Sequence, residues 1–427
     1  MTTARLFVGA RQIVTCAGPP RPRIGAELGN AGIVTARALL VRDGLVAAIA
    51  PESELRPANP DAEIVDCAGG VLTPGFVDSH THAIFGRARY EEQELRAAGV
   101  DYMEIARRGG GIHASVRDLR TRSEEELFTL AVPRLMRLAA SGVTTVEVKS
   151  GYGLTLDDEL KTLRVVRRLA EVLPLRIVPT FLGAHEIPLE HRERANGRRE
   201  YLDRVIHEML PAVAAEGLAR FADVFCEPGV FTVDESREIL TAARGAGLGI
   251  KLHADELSAG GGAELAASLG ATSADHLATV SEAGISALAG AGTVATLLPA
   301  TLLFLGKRDH APARRLVEAG VPVALASDFN PGTSPTTNFP LVLTLGVSQL
   351  GLGVAEVLVA ATVNGAAALG LADRVGQLAP GFSADLALWG VEDVRELPYW
   401  LGAGRCRASW TRGKPCHPRD LALASSR

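Results

Sequence analysis

Between residues 71 and 370 the chain repeats one pattern eight times, a short apolar run followed by a longer stretch with helical spacing. The runs fall at 71–78, 143–149, 175–180, 221–226, 249–253, 271–276, 293–298 and 321–327. Alternating strand and helix favours a parallel sheet, because each parallel connection has to cross back over the sheet face and a helix does so compactly. Eight such units are the number that closes the sheet on itself, so the expected fold class is α/β, a (β/α)8 TIM-like barrel. Glu124 to Ala140, Asp157 to Leu173 and Val354 to Leu369 carry apolar residues at helical spacing and read as helices packed outside the sheet.

The two chain ends have a different texture. Leu6-Phe7-Val8, Gln12 to Thr15, Ala38 to Val41 and Leu45 to Ile49 are short β-like runs separated by turns such as Gly18-Pro19-Pro20-Arg21-Pro22. Ala384 to Trp389 returns to that style near the C-terminus. The expected organisation is therefore a small β-sandwich domain built from residues 1–70 and 376–427, flanking a barrel over 71–375. A length of 427 residues suits that pair.

Charge and cysteine usage narrow the partners. A net charge of -5 spread along the chain offers no electrostatic reason for nucleic acid or an anionic membrane, so a small-molecule partner is expected. Cys16, Cys67, Cys226, Cys406 and Cys416 are odd in number, scattered and without a CxxC pair, which reads as reduced thiols. No apolar stretch reads as a leader or a membrane span, and the expected address is the cytoplasm.

In such barrels the chemistry sits at the C-terminal ends of the strands. The first run ends in His80-Thr81-His82, the fifth in His253, the sixth in His276, and the eighth is followed at once by Asp328. Alternation along a strand sends His80 and His82 to one side. Taken singly, each residue has an ordinary structural explanation, a hydrogen-bonded histidine or a helix cap. Together they place nitrogen and oxygen ligands at one mouth. His80, His82, His253 and Asp328 are the expected ligands of a metal site with a position open for water, which leaves His276 and Glu256 for proton handling. Asp255 is a rival to Glu256 that sequence leaves open.

Several further segments carry a resemblance: Thr73 to His82, Gly109-Gly110-Gly111-Ile112-His113, Glu147-Val148-Lys149-Ser150-Gly151-Tyr152-Gly153, Phe181 to His185, His253 to Leu257, Ser273 to Leu277 and Ser327-Asp328-Phe329-Asn330-Pro331-Gly332-Thr333. In these the chain resembles the amidohydrolase superfamily and, within it, the imidazolonepropionase family, across almost its whole length. The resemblance implies one zinc or iron ion per chain on the four ligands above, and a homodimer. It also implies substrate contacts from Arg89, Tyr152, His185, Glu256 and Thr333, with Asn330 and Gly332 nearer the product. His113 and Tyr102 are weaker candidates for the same pocket.

The implied reaction is hydrolysis of the cyclic amide carbon–nitrogen bond of 4-imidazolone-5-propanoate to N-formimidoyl-L-glutamate in histidine degradation. Asp328 or His276 would take the first proton, and Glu256 would help protonate the departing nitrogen. Arg89 suits a propionate through its bidentate fork. The alternative is a metal-dependent deaminase of a purine or other cyclic amidine, which would have little use for Arg89. A two-metal site bridged by a carbamylated Lys149 and a barrel that binds an anion without turnover are the remaining readings.

Overall fold

The computed structural model describes residues 4–100, 104–105 and 109–418. Its centre is an eight-stranded parallel sheet in which every strand neighbours the next in sequence: Phe76–Asp78, Val143–Lys149, Arg176–Ala184, Phe221–Cys226, Gly249–Ala254, Ser273–His276, Val294–Leu297 and Val323–Leu325. The ends of the sheet meet through a parallel bridge between Thr81 and Phe329, with Asp328 N donating to His80 O at 3.1 Å and His82 N to Phe329 O at 2.8 Å. This seam turns the sheet into a barrel and brings the residues after the first and eighth strands together. Helices cover the outside, and Glu124–Ala140 and Leu156–Val172 lie within a residue of the periodicity reading. Their starts are set by local chemistry: Ser123 and Glu126 form a reciprocal capping box, and Thr155 accepts from Asp158 N.

One sequence expectation needs correction. The run at 71–78 is not one barrel strand. Val71–Pro74 pairs with Leu386–Trp389 and Gln12–Val14, and only Phe76–Asp78 enters the barrel. The change of partner occurs at Gly75, whose N donates to Asp385 O, whereas Phe76 N donates to Gly142 O. A side chain at Gly75 would collide with Thr144, so glycine permits the close crossing. The helix read over 354–369 is present, with one local irregularity. It is α-helical over Val354–Val359, widens to a π turn over Ala360–Asn364 and resumes for Gly365–Ala367. Asn364 is drawn out of register by its amide, which bonds Arg23 N and O and Val323 O.

The chain ends form two sheets. One runs Leu45–Ala50, Ala38–Arg42, Ala4–Val8, Glu63–Asp66; the other runs Lys414–Pro418, Cys406–Thr411, Leu386–Trp389, Val71–Pro74, Gln12–Val14, Ile33–Val34. Their apolar faces share a cluster that includes Phe7, Leu39, Val65, Leu72, Leu386 and Trp410, with Phe7 and Trp410 edge to face at 5.0 Å. Trp389 joins this unit to the barrel: its ring lies 5.2 Å from Phe76 and its Nε1 donates to Thr73 Oγ1 at 2.9 Å. A fully buried side chain of that size contributes at least roughly 3 kcal/mol to holding the seam. Among the described residues no helix is long and apolar enough to cross a membrane.

Candidate active site

The strand ends converge as the barrel geometry requires. His80, His82 and Asp328 place one ligand atom each within 4.8 Å of one another, and His80, His253 and His276 do the same, all of them buried. Asp328 Oδ1 is 3.6 Å from both His80 Nε2 and His82 Nε2, and His253 Nε2 is 3.4 Å from His82 Nε2. His276 therefore faces the same space as the four expected ligands. Burial, reinforced by neighbouring cationic groups, holds His80, His82 and His276 well below the ordinary imidazole range, so they are neutral with lone pairs available.

The donor set fits a metal ion. His80 Nδ1 lies 2.7 Å from Asp275 Oδ2, which fixes the proton on Nδ1 and turns the lone pair on Nε2 toward the cluster. That Nε2 is buried and has no hydrogen-bond partner among the described residues. Asp223 Oδ2 stands 3.0 Å from His253 Nδ1, a charge contact behind that ring. Thr301 donates to Asp328 Oδ2 at 2.6 Å, leaving Oδ1 toward the histidines. Asp328 and His276 both have left-handed backbones, φ 52° and 77°, a strained geometry for residues with a Cβ that re-aims their side chains at the strand ends.

Beneath the cluster lies an ion network with no solvent exposure. Lys149 Nζ contacts Glu147 Oε2 and Asp223 Oδ2, both at 2.7 Å, and Lys251 Nζ contacts Glu147 Oε1 at 3.0 Å and donates to Ser79 O at 2.8 Å. Burial alone would lower the Lys149 pKa, but Asp223, Glu147 and Asp275 outweigh it and hold the amine above its ordinary range. An ammonium so held has no lone pair for carbamylation, which weighs against the two-metal reading.

Asp255 and Glu256 have different partners. Asp255 Oδ1 accepts from Gly260, Gly261 and Gly262 N at 3.0 to 3.1 Å, and Oδ2 accepts from Ala263 N at 3.0 Å, so its carboxylate is spent on the following loop and helix start. Glu256 instead puts Oε2 3.6 Å from His276 Nδ1. Burial, followed by the charges of Asp328 and Glu227, pushes its pKa up to about 8. Glu227, just past the fourth strand, steadies this loop by accepting from Leu257 N and Ser258 Oγ.

The proposed pocket residues divide into two walls. Tyr152 and His185 stack beside the ligands, with the His185 ring 5.1 Å from His82 and 5.3 Å from Tyr152. His185 Nδ1 is tied to Gly151 O at 2.9 Å. The loop bearing Tyr152 is wrapped around buried Glu159, which accepts from Gly151, Gly153 and Leu154 N. On the other wall Asn330 spends its amide on its own loop, accepting from Gly332 and Thr333 N and donating to Asp328 O. It therefore acts by shaping the turn after Asp328. Arg89, only 7% exposed, hangs over this loop with its N donating to Pro331 O at 3.2 Å, and its charge reaches His185.

His113 is not gathered into the cluster; its charged neighbours are Glu186, Arg192, Arg117 and Glu190. Tyr102 lies outside the described residues. Strand period and strand-end position do not single out Glu147, Asp223, Lys251, Asp275, Glu159 and Glu227. A signal existed for some of these: Glu147 and Lys149, and Lys251 and His253, stand two apart inside otherwise apolar strands and so share a face.

The sequence matches the amidohydrolase family over residues 71–403. It is 49% identical over 413 residues to an imidazolonepropionase of Symbiobacterium thermophilum, covering 96% of each chain. It is 45% identical over 415 residues to one of Solibacter usitatus, covering 97% of this chain and 99% of the other. Among solved structures, an adenosine deaminase from Xanthomonas campestris with bound zinc superposes with a TM-score of 0.71 at 19% identity, covering 98% of this chain and 93% of that one. The E. coli guanine deaminase superposes at 0.70 with 16% identity, covering 98% and 100%. These two likenesses speak to fold alone.

Proposed function

The chain belongs to the amidohydrolase family and, within it, to the imidazolonepropionases, and from that premise we propose which of its residues carry the hydrolysis. It is a metal-dependent hydrolase of histidine degradation, opening 4-imidazolone-5-propanoate to N-formimidoyl-L-glutamate. The observation that carries the assignment of roles is the meeting of the imidazole–carboxylate cluster with a buried arginine at one barrel mouth.

His80, His82, His253 and Asp328 would hold one ion, zinc or iron, since three imidazoles and a carboxylate suit either. When bound, the ion supplies a Lewis acid that activates a water and polarises the ring carbonyl. Arg89 anchors the propionate, and Tyr152 and His185 fix the ring by directional hydrogen bonds, so that the carbonyl carbon faces the cluster. Asp328 Oδ1 and His276 are the groups placed to accept the water's proton. Glu256, whose carboxyl faces His276 and whose proton affinity burial raises, holds a proton there and delivers it to the ring nitrogen as its bond to the carbonyl carbon breaks. That nitrogen becomes the formimidoyl nitrogen and the carbonyl becomes a carboxylate. Thr333 is a further substrate contact, and Asn330 and Gly332 shape the loop nearest the opened product.

Three wider readings accompany this. The division into a composite end domain, 1–70 and 376–427, and a barrel, 71–375, is kept with the first boundary moved to Gly75, supported by the separate apolar cluster of the end sheets. A homodimer is supported by the adjoining exposure of Tyr399 and Leu401, 73% and 71%, and sedimentation velocity tests it. A cytoplasmic address is supported by five buried cysteines, none of them in a disulfide, and a net charge of -5 supports a partner that is not nucleic acid. For the chemistry, purified metal-replete protein should convert imidazolone propionate to N-formimidoylglutamate, and Glu256→Gln should retain metal while losing most of kcat. Full activity in that variant would remove Glu256 from the mechanism.

A further inference from the structure

Glu92 has no place in the reading so far, yet it is a carboxylate only 6% exposed, one helical turn from Arg89. Its Oε1 accepts from Gly111 N at 2.7 Å and lies 3.6 Å from Arg89 Nε, a charge contact too long for a hydrogen bond. Arg89 Nε and Nη1 are buried, and neither has a hydrogen-bond partner among the described residues. Stripping water from two guanidinium donors without pairing them is unfavourable, and it makes sense where a ligand oxygen completes them.

The Gly109-Gly110-Gly111 segment acquires a reason here. Gly111 has φ 67° and ψ -154°, a region that essentially only glycine occupies. A Cβ on Gly110 would meet Ile105 O at 2.9 Å and Glu92 Oε1 at 3.1 Å. The glycines let the backbone close onto Glu92, and the helix Ile112–Arg120 begins there.

We propose that Glu92 is a positioning residue: bound to the Gly110-Gly111 turn on one side and facing Arg89 on the other, it sets the guanidinium fork for the substrate's side-chain carboxylate. This rests on Arg89 being the carboxylate anchor, as argued above. Glu92 touches no reacting atom, so its effect falls on substrate binding.

Steady-state kinetics on metal-replete Arg89→Met, Glu92→Ala, Glu92→Gln and Arg89→Met/Glu92→Ala test it. Loss of a charged hydrogen-bonded anchor corresponds to a KM rise of about 10- to 150-fold. Glu92→Ala is expected to raise KM in that range with kcat within about threefold of the parent. Glu92→Gln, which keeps an acceptor for Gly111 N, is expected to fall between the two. In the double variant, removing Glu92 should add no further KM rise to that of Arg89→Met, because Glu92 acts through Arg89. If Arg89→Met leaves KM unchanged, the anchor reading itself fails. If Arg89→Met raises KM and Glu92→Ala does not, lowers it, or multiplies it independently in the double variant, the anchor stands and the role of Glu92 is overturned. The double variant leaves no unpaired buried charge, so it reports even where Glu92→Ala folds poorly.

Discussion

Gly332→Ala separates the carboxylate clamp from the fold. Gly332 does not have a positive φ, so its backbone accepts alanine without strain. A Cβ there would instead coincide with the guanidinium of Arg89, overlapping its Nη2, Cζ and Nε atoms. The atoms in conflict are the far end of a flexible side chain, and space exists for them: Arg89 borders a cavity of about 550 Å³ with Glu92, Gly109 and Gly110. The fold should therefore yield by moving Arg89. If Arg89 is the proposed propionate anchor, its displacement forfeits a charged hydrogen bond worth about 1.5–3 kcal/mol, which is about 10- to 150-fold in KM. Stability should change by no more than about 1 kcal/mol, because the displaced guanidinium has that cavity to enter. Steady-state kinetics and thermal unfolding on the same preparation measure both. A variant with unchanged KM would refute the placement of Arg89 over the substrate, and one that unfolds would show that Gly332 serves packing instead.

Asp255→Ala should destabilise the protein by about 2 kcal/mol or more, since it strands four backbone N–H groups, and the shift in urea midpoint checks it. Lys149→Met should destabilise more, by about 3–5 kcal/mol, because it leaves buried Asp223 without its ammonium partner and Glu147 with Lys251 alone; a neutral result in chemical denaturation would show the network to be dispensable. Glu256 sets a pH dependence for the metal-free protein. Its native pKa of about 8 lies above the ordinary 4.5, so the native state holds the extra proton across that window and stability falls as pH rises from about 5 to 8. The slope approaches about 1.4 kcal/mol per pH unit from this one group, and Glu256→Gln should flatten it in urea titrations at both pH values.

The legible part of this molecule was the part governed by period and position. Barrel strands announce themselves as apolar runs, and His80, His82, His253, His276 and Asp328 were found because each ends a strand. What sequence hid depends on who lies opposite. Sequence puts Lys149 and Lys251 on barrel strands but not their partners, Glu147, Asp223 and Asp275, which meet them across the barrel interior. Asp255 and Glu256 are adjacent carboxylates, and only the left-handed backbone at Asp255, φ 50°, sends one to a helix start and the other to His276. The exchange of sheets at Gly75 leaves no mark in hydrophobic pattern, since both halves of the run are fully buried. Asn364 likewise breaks its helix through a partner more than three hundred residues away in sequence, at Arg23.

The central claim is that His80, His82, His253 and Asp328 hold one ion at which imidazolone propionate is opened. Elemental metal analysis with a turnover assay on wild type and His253→Ala tests it directly. The account predicts one zinc or iron per wild-type chain with conversion to N-formimidoylglutamate, and joint loss of metal and activity in the variant. A ratio near two, or a His253→Ala protein that keeps both full metal content and full activity, would contradict it.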